Sequence, residues 1–503
     1  MTTARLRLDP AFAVGPVNRR LFGSFVEHLG RCVYEGIYEP GHPTADAKGF
    51  RGDVLELVRE LGVSTVRYPG GNFVSGYRWE DGVGPREQRP RRLDLAWRGT
   101  ETNEVGLHEF AEWCETAEVE LMYAINLGTR GVAEALDVLE YANVSGGTAM
   151  SEKRRANGRE KPFDIRMWCL GNEMDGPWQL GQCTPEEYGR IASQTAKALR
   201  QIDKDLELVA CGSSGRGMPT FGTWERVVLE RAYEDVDYIS CHAYYEERDG
   251  DLASFLASAV DMDRFIEEVI VTADHVKALK RSDKRIDISF DEWNVWYMGA
   301  EEPGTITGEE WPEVQHRLEN VYSVADAVVV GGLLISLLRH ADRVKAASLA
   351  QLVNAIAPIM TEKGGAAWRQ TTFFPFALTS HLAQGVSLDV RVDVPTTPTK
   401  VYGDVPLVDV AATWDEAEGA AAVFLVNRSL DSATEVTIEL PASLAGAELE
   451  AVSLHDEDVY AKNTKENPDR VAPKANESAR IEGSSLTITL PAVSWTAVRL
   501  AGR

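Results

Sequence analysis

From about residue 20 to residue 360, short apolar runs alternate with stretches whose apolar residues recur every three to four positions. Eight runs read as strands: LFGSFVEH, STVRYPGG, ELMYAINLG, IRMWCLGNE, LELVACGSSG, VDYISCHAYY, IDISFDEWN and KAASLAQLVN. Amphipathic helix patterns separate them, among them DVLELVRELG, VGLHEFAEWCETAE, TPEEYGRIASQTAKALRQI and FLASAVDMDRFIEEVIVTADHVKALK. Thr184 ahead of Pro185 predicts a helix start, with a hydroxyl N-cap and a proline where the missing N–H costs nothing. Eight strand–helix units predict an α/β fold, a closed (β/α)8 TIM barrel rather than an open doubly wound sheet. No G-x-G-x-x-G follows the first strand, and Gly212, Gly215 and Gly217 fall at another spacing, so they predict a loop.

After about residue 384 the period drops to two in VSLDVRVDV, GAAAVFLVNRS, TEVTIELP, LEAVSLHD, SLTITLP and SWTAVRLA. Turn residues between these runs predict an antiparallel β-sandwich. The opening ARLRLD alternates the same way and predicts a strand joining that sandwich. The polar, turn-rich stretch from Asn463 to Ser485 predicts a long loop. The expected division is residues 1–18 as an N-terminal strand of the sandwich, 19–383 as the barrel and 384–503 as the sandwich.

Charge narrows the partners. Lys and Arg number 52 against 78 Asp and Glu, a net charge of −26, which argues against nucleic acid and anionic membranes. The one basic cluster, Glu152 to Lys161, reads as a solvated loop. Six cysteines without a C-x-x-C pair read as small buried hydrophobes rather than disulfides or zinc ligands. No run of 18 apolar residues and no signal core occur, so a cytoplasmic protein is expected and the three Asn-x-Ser matches carry no meaning.

In a barrel the chemistry sits where the strands end. The first run ends in Glu27 and His28, the second in Arg67 and, past a glycine pair, Asn72. The fourth ends in Asn172 and Glu173, the sixth in His242 and Tyr244, the seventh in Asp291 and Glu292, the eighth in Gln351. Carboxylates on strands four and seven face each other across such a barrel, which is the pair a glycosidase needs: one protonates the leaving oxygen, the other attacks the anomeric carbon. Asn172 could bond a sugar 2-hydroxyl, and Tyr244 could orient the nucleophile. Asp291 should point away from Glu292 by strand alternation. Taken singly, a Glu at a strand end serves more often as a cap or an ion-pair partner, as Glu27 could with Arg67. His28 and His242 read as structural histidines. Trp97, Trp178 and Trp296 fit either the core or a sugar-stacking wall.

The segments GSFVEHLGRCVYEGIYEPG, RYPGGNFVSGYRWEDGVGP, CLGNEMDGPWQLG, SCHAYY, DEWNVWY and AQLVNAIAPIMT resemble the α-L-arabinofuranosidases of glycoside hydrolase family 51. The resemblance implies a barrel with a jelly-roll-like sandwich and a retaining, exo-acting hydrolase of terminal α-L-arabinofuranosyl residues on arabinan- or arabinoxylan-derived oligosaccharides. It implies Glu173 as acid/base and Glu292 as nucleophile, and Glu27, Asn72, Asn172, Tyr244 and Gln351 as residues that hold the sugar or orient the nucleophile. Trp178 would wall the pocket toward the leaving group, and Arg67 would sit behind the nucleophile. It further implies no metal, no cofactor, and a homo-oligomer, often a hexamer. Rival readings are a retaining β-xylosidase or endoglucanase on the same fold, a metal-dependent sugar isomerase or hydrolase using Glu27, His28, Glu173, His242 and Glu292, and a sugar-binding barrel without activity.

Overall fold

The computed structural model describes residues 2–298 and 310–502. Eight parallel strands close into a barrel: β1 (Gly23–Phe25), β2 (Thr65–Tyr68), β3 (Glu120–Ile125), β4 (Met167–Leu170), β5 (Glu207–Ala210), β6 (Tyr238–Tyr245), β7 (Asp287–Val295) and β8 (Val344–Ala350). Each lies in one of the eight apolar runs, except that β7 continues one residue past the end of its run and β8 starts one residue before its own. Inward-facing Met122, Met167, Val209, Tyr238 and Ala346 fill the interior. Near the strand N-termini Arg20 pairs with Glu120 at 2.6 Å and Glu207 at 2.7 Å, and Tyr238 donates to Glu207, so that end is closed by polar contacts.

Local signals fix the helices. In Pro185–Ile202 the Thr184 hydroxyl accepts from the Glu187 N–H, while the Glu187 carboxylate accepts from the Thr184 N–H at 2.9 Å, a reciprocal cap. The pattern from Phe255 to Lys280 is interrupted at Ala257, giving Leu252–Leu256 and Ser258–Lys280. The basic cluster is not a simple solvated loop. Ala149–Ala156 is a helix, and Arg154 is fully buried. Its guanidinium donates to the carbonyls of Tyr141 (2.8 Å), Val144 and Ser145, at the C-terminal end of helix Val132–Asn143. Those carbonyls have no helical partner of their own, and a planar fork satisfies several at once.

Two sheets follow the barrel. A seven-stranded sheet contains Ala13–Pro16, Val408–Asp415, Ala420–Asn427 and Ser494–Ala501; a five-stranded one contains Thr2–Arg7, Thr434–Glu439 and Ser485–Leu490. Pairing is antiparallel except that Thr2–Arg7 runs parallel to Thr434–Glu439. Ala4, Leu6, Val436, Ile438, Leu486 and Ile488 interdigitate with Val410, Val423, Leu425 and Val498 between the sheets. The polar stretch expected as one long loop carries two short strands, Lys474–Ala475 and Arg480–Glu482, which extend the sheet edges. The apolar helix Val324–Arg339 packs on the seven-stranded sheet, with Gly331 directly against Trp495, where no side chain would fit. No helix among the described residues is long and apolar enough to cross a membrane.

Candidate active site

The C-terminal ends of the barrel strands surround a cavity of about 680 Å³ lined by Glu27, Asn72, Glu173, His242, Tyr244, Glu292 and Gln351, with Trp97, Trp178 and Trp296 in its walls. Strand endings from across the barrel thus meet in one place, because in a barrel every strand delivers its last side chains to the same rim.

Glu292 sits on β7 and is 5% exposed. Its Oε1 accepts from Arg67 Nη1 at 2.8 Å and its Oε2 from the Tyr244 hydroxyl at 2.7 Å. Arg67 reaches on to Asn172 Oδ1 at 2.7 Å, and the Asn172 amide donates to Asn72 Oδ1 at 3.2 Å. Arg67 therefore touches Glu292 itself instead of pairing with Glu27. Burial raises the Glu292 pKa, the imidazolium of His242 opposes that, the Glu173 charge adds to it, and the net shift is upward.

Glu173 follows β4 and holds a left-handed backbone, φ 44°, a conformation that costs a non-glycine residue energy and persists only where the surroundings demand it. Its Oε1 meets His242 Nδ1 at 2.9 Å, and its Oε2 accepts from Trp178 Nε1 at 2.6 Å. Gly176 makes room for that indole, since a Cβ there would stand 2.6 Å from it.

His242, expected as a hydrogen-bonded structural residue, makes such bonds and also lines the cavity. Nε2 bonds Asp291 Oδ1 at 2.8 Å, Nδ1 bonds Glu173, and Glu292 Oε2 lies 3.6 Å away. Burial works against the imidazolium, but the Glu292 charge and the bonds to Asp291 and Glu173 outweigh it and push its pKa up to about 10. Asp291, expected to face away from Glu292, meets the same ring. The cause is a β-bulge: β6 advances from Ser240 to His242 while β7 advances from Ser289 to Glu292, so one extra residue breaks the alternation.

Glu27, 2% exposed, closes the opposite side. Its Oε1 accepts from the Phe73 N–H and from Trp97 Nε1, both at 2.8 Å, and its Oε2 lies 3.1 Å from Gln351 Nε2. Burial pushes its pKa up to about 8 against those two hydrogen bonds. Gln351 Oε1 is buried without a partner. The Gly70–Gly71 pair exists for this carboxylate: a Cβ on Gly70 would stand 2.6 Å from Glu27 Cγ, and one on Gly71 3.1 Å from Glu27 Oε2 and 3.2 Å from Glu292 Oε1.

Glu173, His242 and Glu292 each offer a ligand atom within 4.8 Å of the others, close enough to hold a metal ion. Arg67 already supplies a positive charge to Glu292, and both nitrogens of His242 already face carboxylates. The donor set is therefore charge-compensated by the protein and fits a proton-transfer pair better than a cation site. His28, the other histidine offered as a ligand, lies away from this cluster, between Glu101 at 2.8 Å and the Tyr68 hydroxyl at 2.9 Å.

Comparison with known proteins agrees with the geometry. Residues 57–265 match the model of the α-L-arabinofuranosidase 1 domain, and residues 291–494 that of the α-L-arabinofuranosidase C-terminal domain. The chain is 59% identical to the intracellular exo-α-(1→5)-L-arabinofuranosidase of Streptomyces lividans over all of this chain and 76% of that protein. It is 57% identical to the exo-α-(1→6)-L-arabinofuranosidase of Bifidobacterium longum over 99% of this chain and 97% of that one. Among solved structures, the family 51 α-L-arabinofuranosidase AbfB of Bifidobacterium longum superposes with a TM-score of 0.96 at 51% identity, covering 99% of this chain and 100% of that one. The α-L-arabinofuranosidase of Thermotoga maritima, solved as an arabinose complex, superposes with a TM-score of 0.87 at 34% identity over the whole of both chains.

Proposed function

The chain belongs to the α-L-arabinofuranosidases of glycoside hydrolase family 51, and from that membership we propose an exo-acting hydrolase of terminal α-L-arabinofuranosyl residues that works by retaining double displacement. Glu292 is the nucleophile and Glu173 the acid and base. The observation that carries this reading is proximity: an oxygen of Glu173 and one of Glu292 lie within 4.8 Å. Retaining enzymes hold their carboxyl groups about 5–5.5 Å apart, whereas inverting ones need about 6.5–9.5 Å to seat a water between them.

The steps follow from the contacts. Glu292, oriented by Arg67 and Tyr244, attacks the anomeric carbon as the glycosidic C–O bond breaks. The departing oxygen takes the proton of Glu173. Glu173 Oε1 is held by His242 Nδ1 at 2.9 Å and Oε2 by Trp178 Nε1 at 2.6 Å, which fixes the carboxyl group for that transfer. A β-configured ester forms, and the negative charge of Glu292 disappears from beside Glu173. Water then attacks the anomeric carbon and gives its proton to Glu173, and Glu292 leaves, restoring the α configuration. Asn72, held by the Asn172 amide, faces the sugar from one side, Glu27 and Gln351 from the other, and Trp178 stands on the leaving-group side of Glu173.

Substrates of this reading are arabinan- and arabinoxylan-derived oligosaccharides, a role in hemicellulose breakdown. Two relatives of similar identity are named for (1→5) and (1→6) linkages, so both linkages belong in the assay. The reading also extends to a cytoplasmic homo-oligomer, checked by light scattering against a hexamer of the 55.4 kDa chain. The deciding experiment measures 4-nitrophenol release from its α-L-arabinofuranoside by wild type and Glu292→Ala, with azide added to the variant. Wild-type turnover, loss in the variant and rescue to a glycosyl azide of inverted configuration are expected. A fully active Glu292→Ala would sink the assignment, and cleavage of the β-xyloside alone would move it to another sugar.

A further inference from the structure

Trp178 aims its indole N–H at Glu173 Oε2 over 2.6 Å, yet the residue is 52% exposed, so packing alone does not hold the ring there. The turn that carries it is closed by two backbone bonds, from the Gly176 N–H to the Glu173 carbonyl at 2.8 Å and from the Gln179 N–H to the Gly176 carbonyl at 3.0 Å. Gln179, next to the indole, is buried, and its Nε2 donates to the hydroxyl of Ser75. Ser75 is itself fully buried in the short helical turn Asn72–Gly76, whose first residue faces the cavity. The third barrel strand, whose ending adds no side chain to the cavity, braces this contact. Thr129 donates to the Ser75 carbonyl at 2.7 Å, and the Asn126 amide donates to the Tyr77 carbonyl at 2.9 Å and to Thr129 at 3.0 Å. Gly128 lies between the two turns: a Cβ there would stand 2.7 Å from Ser75 Cβ and 2.3 Å from the Leu180 carbonyl oxygen. The loops after β2, β3 and β4 are thus locked around the bond from Gln179 to Ser75. Gln179 Oε1 is buried without a partner. An amide left half unpaired is a costly way to fill a space that methionine would fill, so stability alone does not account for it.

We propose that Gln179 is a positioning residue for proton donation: its bond to Ser75 sets the turn that aims Trp178 at Glu173, and ties that turn to the one presenting Asn72. The proposal rests on the glycosidase reading above. A proton donor works only within hydrogen-bond reach of the leaving oxygen, and a displacement of about 1 Å is enough to cost about a hundredfold in rate. Gln179 touches neither the sugar nor Glu173, so whatever it contributes passes through the indole. A leaving group of low basicity needs little of the donated proton, so the contribution of Gln179 depends on the leaving group. A residue that merely held the fold together would affect every substrate alike.

The test measures kcat/KM for methyl and 4-nitrophenyl α-L-arabinofuranoside with wild type, Gln179→Met, Trp178→Phe and the double variant. Methionine keeps the volume and removes the donor. Gln179→Met should lower kcat/KM for the methyl glycoside by about tenfold and for the 4-nitrophenyl glycoside by no more than about threefold. In the Trp178→Phe background the same substitution should cost less than about twofold further, because it acts through that indole. Ser75→Ala removes the acceptor from the opposite loop by deleting one oxygen. It should reproduce the split between the two glycosides, and it decides the matter where Gln179→Met does not fold. Unchanged rates, equal losses for both glycosides, or losses that multiply in the double variant overturn the positioning role and leave the glycosidase reading standing. If wild type cleaves neither glycoside, that reading fails and the positioning role falls with it.

Discussion

Replacing Tyr244 with Phe removes one oxygen and little else. The ring stands edge-on to Trp296, with centroids 5.0 Å apart and planes at 82°, and that contact survives the change. What is lost is the 2.7 Å hydrogen bond to Glu292 Oε2. A hydrogen bond to a charged acceptor contributes about 1.5–3 kcal/mol. It stabilises only the ionised carboxylate here, so at about 1.36 kcal/mol per unit its loss raises the Glu292 pKa by about 1–2 units. The direction adds to the upward shift that burial already imposes. Glu292 must be ionised to attack, so the acid limb of the kcat/KM profile should move up by the same 1–2 units, about 10- to 100-fold less activity on the acid side of the limb. The difference should shrink as pH rises past the new limb. The assay is the pH dependence of kcat/KM with 4-nitrophenyl α-L-arabinofuranoside, wild type beside Tyr244→Phe. An acid limb that stays in place, with activity scaled down equally at every pH, would falsify the claim that this hydroxyl sets the ionisation of the nucleophile.

Glu27 gives a prediction about stability. Its folded pKa of about 8 exceeds the ordinary 4.5, so the folded state holds this proton more tightly, and the contribution is full below pH 4.5 and lost as pH rises through 8. Glu27→Gln mimics the protonated form, so its unfolding free energy, measured by denaturant titration, should gain on wild type steadily between pH 5 and 8, by up to about 5 kcal/mol; parallel curves would show that Glu27 ionises freely. Trp178→Phe removes the 2.6 Å donor to Glu173 and should lower kcat/KM by about tenfold, with a larger loss for alkyl than for 4-nitrophenyl leaving groups, which need less proton assistance. An equal loss for both leaving groups would place the indole outside the proton transfer. Gly331→Val forces a side chain into Trp495 and should destabilise the barrel–sandwich contact by about 1–3 kcal/mol or more, seen as a lowered thermal transition; an unchanged transition would mean the helix and sheet can separate at no cost.

The strands of the barrel were legible because each is a short apolar run with a sharp polar ending, and those endings carried Glu27, Glu173, Tyr244, Glu292 and Gln351 to one cavity. Alternation is a reliable guide only while a strand keeps its register. The bulge in β7 is invisible to it, so Asp291 was sent to the wrong side, and without Asp291 nothing marked His242 as the bridge between two carboxylates. Arg154 was hidden for another reason. In the sequence it is one more charge in a basic run, and only the fold reveals that a helix end brings its carbonyls there. Arg67 shows the limit of pairing by proximity along the chain, since its partner stands on β7, far away in sequence.

The parallel pairing of Thr2–Arg7 with Thr434–Glu439 joins a strand ahead of the barrel to one that follows it inside one sheet. Topologically the barrel is thus an insertion between strands of one sandwich. During synthesis Thr2–Arg7 emerges before the barrel strands and its partner only after all of them. Until then Thr2–Arg7 has an unpaired edge, and the apolar helix Val324–Arg339 has no sheet to lie on. Completion of the sandwich is therefore a late event, and a chain cut short before Thr434 leaves that edge of Thr2–Arg7 bare however well its barrel has closed.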